Sequence, residues 1–161
     1  MTVLSLISVF LVAVTMGLSL AHALEFPGKA RLTEPTYRAV QAIYYPGFTV
    51  GGLVGEFGAL VTLPILLALT PADTKRFWWA AVSLGFLVLA HLTYWLVTHP
   101  VNSAWLKDTK LSGVGGLFFG LFSAAESDWA HMRNLWEFSH VARALLTGLS
   151  FVSLTIAVAQ V

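Results

Sequence analysis

The side chains here that could take up protons, hold anions or ligate metals fall into a few tight groups. His22 and Glu25 lie three residues apart, as do His99 and Asn102, while His131, Arg133, Glu137, His140 and Arg143 follow closely on one another. Glu56 and His91 stand alone inside long apolar runs. Three chemistries fit these residue types. Arginine, histidine and glutamate at a membrane edge can bind lipid phosphates and pair among themselves. Glu137-x-x-His140 has the i, i+3 spacing of carboxylate-bridged di-iron bundles. His22-x-x-Glu25 is its reversed copy, with Glu56 a further oxygen donor and His91 and His99 further nitrogen donors. Iron, copper or haem are the candidate groups, His22 and His140 being the axial pair for haem. Finally, His140 can serve as a general base, with Arg143, Arg133 and Asn102 orienting an anionic or phenolic substrate.

Other chemistries are excluded or unsignalled. The absence of cysteine rules out disulfides, thiolate metal sites and iron–sulfur clusters. The sequence has no phosphate-binding glycine loop, no H-E-x-x-H and no nucleophile elbow. A net charge of +1 gives no attraction to nucleic acid.

The elements that position these groups must be membrane helices. Charged residues make up 11 % of the chain, against about a quarter in soluble domains. A spanning helix needs roughly 20 mostly apolar residues, and four stretches qualify, at about 2–24, 46–70, 77–99 and 139–161. The first ends in Ala21-His22-Ala23, which has the form of a signal cleavage site, but no basic residue precedes the apolar run, so it reads as a retained span. His99-Pro100 is expected to close the third span, because the residue before proline is pushed out of helical geometry. The expected fold is an all-α, up-and-down four-helix membrane bundle in one domain, with short interfacial helices in the first and third connections. Thr33-Glu34-Pro35 starts one of these. The apolar stretch 113–125 is too short to span and supplies the other.

The two long connections and their flanks carry Lys29, Arg31, Arg38, Lys107, Lys110, Arg133 and Arg143, whereas the short turn at 71–76 carries Lys75 and Arg76. Seven against two places the long connections on the cytoplasmic side of the plasma (inner) membrane, and both termini on the other. Up-and-down threading brings His22, His99 and the His131–Arg143 group to that same face. At 1.5 Å per residue, Glu56 and His91 lie at a common depth of about 12–15 Å from it.

Two periodic patterns sharpen this picture. Trp129, Arg133, Trp136, His140, Arg143, Thr147 and Ser150 recur every three or four residues, forming a polar and aromatic stripe on an otherwise apolar helix. That stripe belongs inside the bundle, with Trp129 and Trp136 as candidate pocket walls. The remaining tryptophans and Tyr44 and Tyr45 lie near span ends, where aromatic belts are expected. Gly47, Gly51, Gly55 and Ala59 form a ridge without side chains, which lets another helix approach closely. The helix received there is expected to be a second copy or a membrane partner, through Gly47, Gly51 and Gly55.

His99-Pro100-Val101-Asn102, followed by Arg133-x-x-Trp136-Glu137-x-x-His140-x-x-Arg143 entering the last span, resembles the anthrone oxygenase-like family of small four-helix membrane proteins. Residues 21–29 and Tyr44-Tyr45-Pro46-Gly47-Phe48 look like a bacterial branch of it. The resemblance implies oxidation of a polycyclic phenolic anthrone to a quinone by molecular oxygen, and selects Asn102, Arg133, Trp136, His140 and Arg143. In such a reaction His140 takes a proton, Arg143 or Arg133 stabilises the oxyanion, and Trp136 and Trp129 stack on the ring. The expectation is therefore an oxygenase-like redox protein acting on an apolar or phenolic substrate supplied by the bilayer. The rival is a non-catalytic subunit or assembly factor that packs through the glycine ridge.

Overall fold

The computed structural model describes residues 2–106, 113–121 and 128–160, so Lys107, Lys110 and the expected helix start at Ser127 lie outside the described residues. In chain order the helices are α1 (Thr2–Lys29), α2 (Glu34–Tyr44), α3 (Gly47–Ala68), α4 (Lys75–Leu106), α5 (Gly113–Phe119) and α6 (Trp129–Ala159). There is no strand among the described residues. α1, α3, α4 and α6 are long and apolar enough to cross a membrane. Large apolar side chains cover their outer faces, such as Phe10, Val61 and Leu145. Water would penalise that surface, whereas lipid solvates it.

Local chemistry sets the helix starts. Asp128 accepts a hydrogen bond from the His131 backbone N–H at 3.2 Å, capping α6, and Thr74 accepts from the Phe77 N–H at 3.2 Å, capping α4. Glu34 opens α2 with a proline beside it, and pairs with Arg38 one turn on at 2.8 Å.

Two span ends differ from expectation. α1 runs on past residue 24 to Lys29, through Pro27. Charges mark where lipid gives way to headgroups, not where hydrogen bonding stops, and Glu25 and Lys29 pair across that extra turn at 3.7 Å. α4 does not stop at His99-Pro100 but continues to Leu106. The turn before the proline, Tyr94–Thr98, is π-helical, and the His99 N–H reaches back to the Tyr94 carbonyl. A widened turn there shifts the Leu96 carbonyl, which the Pro100 ring would strike in a regular α-helix. α3 contains a second π turn, Leu53–Phe57.

α6 is the centre of the bundle, packed along α4 on one side and α1 on the other. From Trp136 onward its stripe is buried: Trp136, His140, Arg143, Thr147 and Ser150. Ser150 bonds Ser83, and Ser139 bonds Thr98, tying α6 to α4 at 3.0 and 2.8 Å. The half of the bundle nearest the short turn is filled by Val12, Ala59, Leu63, Leu66, Leu87 and Leu154; the other half is polar and aromatic.

The glycine ridge receives a helix, but from the same chain. A Cβ on Gly55 would stand 3.0 Å from Thr15 Oγ1 and 3.2 Å from the Thr15 backbone nitrogen, and one on Gly51 would stand 3.1 Å from Leu18. Both glycines seat α3 on α1, so the surface assigned to an outside partner is used within the bundle. Gly47 meets nothing within 4 Å.

Candidate functional site

In the polar half, all six helices line a cavity of about 360 Å³, within the range of small-molecule sites. Its walls are largely aromatic, including Tyr44, Phe48, Tyr94, Trp95, Phe118 and Trp136. His22, Glu56, His91, Asn102, His140 and Arg143 supply polar groups. Both π turns contribute, through Glu56 on α3 and Tyr94 and Trp95 on α4. A π turn advances the side chains beyond it relative to a regular helix, and such turns recur at functional sites.

The histidine tautomers follow from their partners. His140 Nδ1 lies 2.9 Å from the Trp136 carbonyl. A carbonyl only accepts, so Nδ1 carries the hydrogen and Nε2 keeps its lone pair. The Trp95 indole donates to His91 Nε2 at 3.0 Å, so His91 donates from Nδ1 to Glu56 at 2.8 Å. The second oxygen of Glu56 accepts from Arg143, whose guanidinium lies 5.0 Å over the Tyr94 ring. Arg143 is thus held as a cation in a buried cavity by one carboxylate and one aromatic face. Asn102 Oδ1 accepts from the Trp136 indole at 2.7 Å and sets that ring's angle. The His22 and His140 rings meet edge to face, 4.4 Å between centroids.

A second charged cluster lies behind Trp136. Lys29 is 5 % exposed, 3.1 Å from Glu137 and 4.1 Å over the Trp136 ring. Tyr37 donates to Glu137 at 2.6 Å, and Tyr44 donates to Glu25. Burial, then the bond to Glu137, pushes the Tyr37 hydroxyl above its ordinary range; burial and Glu25 do the same to Tyr44. Both stay protonated donors at neutral pH.

The expected site residues therefore divide. His140, Arg143, Asn102, Trp136, His22, Glu56 and His91 share the cavity. Arg133 and Trp129 do not: Arg133 stacks on Trp129 at 4.9 Å and reaches the Ala30 carbonyl at 3.5 Å, because they precede Trp136 by one to two turns and sit above the cavity at the helix entrance. His131 is exposed. His99 is buried at 0 % exposure among Trp95, Phe118 and Phe119 and bonds the Leu121 carbonyl at 2.8 Å, fastening α5 onto α4.

The geometry lends the metal reading no support. Among the described residues, no three His, Asp or Glu side chains converge to hold a metal. Glu25 and Glu137 turn to tyrosines and Lys29, Glu56 and His91 turn to each other, and His99 is held by α5. The His22 and His140 rings stand in direct edge-to-face contact.

The sequence reading gives no site role to Lys29, Tyr37, Tyr94 or Gln41, and places Tyr44, Tyr45 and Trp95 in the aromatic belts. The available signal was the spacing of Tyr37, Gln41 and Tyr44 on one face of α2; Tyr37 and Gln41 are buried in the structure. In comparisons with known proteins, no family model matches the chain, and neither a curated protein nor a solved structure matches it.

Proposed function

We propose that the protein is a membrane-embedded, oxygenase-like redox enzyme that takes an apolar, phenolic ring into this cavity. One observation carries the reading: His140, its Nε2 left as a base by the Trp136 carbonyl, lines an aromatic cavity together with the Arg143 cation. Oxidation of an anthrone-type ring by molecular oxygen needs little more. Nε2 removes a proton from the ring methylene, the guanidinium stabilises the resulting oxyanion, and the electron-rich anion reacts with oxygen. One O2 per ring converts the methylene to a carbonyl and releases one water. Trp136, angled by Asn102, offers a face for the ring.

The resemblance to anthrone oxygenase-like proteins supports this reading through Asn102, Trp136, His140 and Arg143; Arg133 and Trp129 are left to the headgroup region. The distribution of lysine and arginine supports placing the cavity end at the cytoplasmic face of the plasma membrane, with both termini opposite.

The test is oxygen uptake and quinone formation from a dihydroxyanthrone by the protein in nanodiscs, above the uncatalysed rate. His140→Ala is expected to lower the rate by about a hundredfold or more, the scale of a general base. Retained activity in that variant, or none in the native protein, would sink the proposal.

A further inference from the structure

The cavity has a side facing lipid. α3 packs closely on α4 through Gly58–Ala68, the half nearest the short turn. In the other half the space between the two helices belongs to the cavity. Val50, Leu53 and Phe57 line it from α3 while being 57 %, 57 % and 44 % exposed. His91 and Trp95 face them from α4. Phe57 lies ten residues beyond Gly47, about 15 Å along the helix, so this rim reaches hydrocarbon depth. The headgroup end is covered instead, where the Phe119 ring meets Tyr45 at 6.0 Å and Phe118 meets Trp95 at 5.6 Å.

Inside, three cavity-lining residues carry side-chain nitrogens without a hydrogen bond at ordinary distance: His22 Nδ1, which stands 3.7 Å from Glu25, Gln41 Nε2, beside Tyr37, and Arg143 Nε. Those residues are 6 %, 9 % and 8 % exposed. Leaving such groups unmatched is costly, so a pure hydrocarbon is a poor occupant. An oxygen-bearing ring suits them, and the lipid-facing rim suits an apolar chain.

We infer that the ligand is a tailed amphiphile: a hydroxylated aromatic or quinoid ring seated beside Trp136 and Arg143, with a hydrocarbon tail passing between α3 and α4 into the bilayer. This rests on the ring-binding reading above and adds the tail and its route. The tail gains no affinity relative to lipid, because lipid is as apolar as the rim. Its signature is that it is tolerated.

The test uses a radiolabelled hydroxynaphthoquinone, whose ionised hydroxyl suits Arg143, and its dodecyl derivative. Binding is measured by scintillation proximity in nanodiscs, with affinity expressed per mole fraction in the lipid so that partitioning cancels. The two probes are expected to bind within about threefold of each other, since the tail contributes nothing beyond lipid solvation. Leu53→Trp or Val50→Trp, filling the rim, should weaken the tailed probe about tenfold or more, the scale of lost steric fit, and the parent much less. Val61→Trp, lipid-facing outside the cavity, should leave both unchanged. A native protein that binds the parent but rejects the dodecyl form overturns the tail and route while leaving the ring reading standing. So does a rim variant that weakens neither probe or both equally. Failure of both probes in the native protein overturns both readings.

Discussion

Replacing Glu56 with glutamine isolates the interaction on which the cavity's charge depends. Glu56 is 5 % exposed, accepts from Arg143 and from His91, and sits on the π turn of α3. Glutamine keeps the shape and one acceptor oxygen but removes the charge, leaving the guanidinium, 8 % exposed against the Tyr94 face, without its carboxylate. Breaking a buried pair from one side costs about 3–5 kcal/mol, because the remaining charge stays uncompensated. Arg143 borders a cavity of about 360 Å³ rather than close-packed side chains, which places the expected loss near the lower end, about 3 kcal/mol. The double variant Glu56→Gln/Arg143→Met removes both charges, and buried pairs replaced by apolar groups are often neutral or better, so stability should return to within about 1 kcal/mol of the native protein. The assay is reversible unfolding in mixed detergent and SDS micelles, followed by tryptophan fluorescence, across the full double-mutant cycle. A loss below about 1 kcal/mol for Glu56→Gln, with no coupling to Arg143, would refute the claim that this pair is a desolvated charge couple.

The glycine ridge gives a contrast on one helix. Gly55→Ala should destabilise by about 1–3 kcal/mol, since its Cβ meets backbone as well as side chain, while Gly47→Ala should stay within about 1 kcal/mol because nothing stands nearby; equal effects in the same unfolding assay would argue against the α1–α3 contact. Tyr37→Phe should cost about 1–3 kcal/mol by stripping a donor from the fully buried Glu137. The Tyr37 pKa is raised on folding, so that stabilisation is complete below the ordinary tyrosine value of about 10 and fades as pH rises above it. The gap between native and variant should therefore narrow in alkali, and a gap independent of pH would count against the bond.

The number of spans, their helical character and the end of the bundle where polar groups collect are all legible in the amino-acid sequence. These depend on hydropathy, charge and a 3.6-residue period, which each segment carries alone. The sequence also showed the α6 stripe, read from Trp129 to Ser150 and buried in the structure only from Trp136 onward, and the common depth of Glu56 and His91, which follows from counting residues. Pairing was decided only by the tertiary structure. Glu137 and His140 share a helix face by spacing, yet Glu137 turns to Lys29 and Tyr37, and His140 to His22 and the cavity. Pro100 looked like an end because a regular helix cannot pass it, and a π turn changes that geometry without leaving a signature in composition. Gly55 announced a close approach but not which helix would make it. In each case the answer depends on how helices far apart in sequence rotate and approach one another, and no local pattern encodes that.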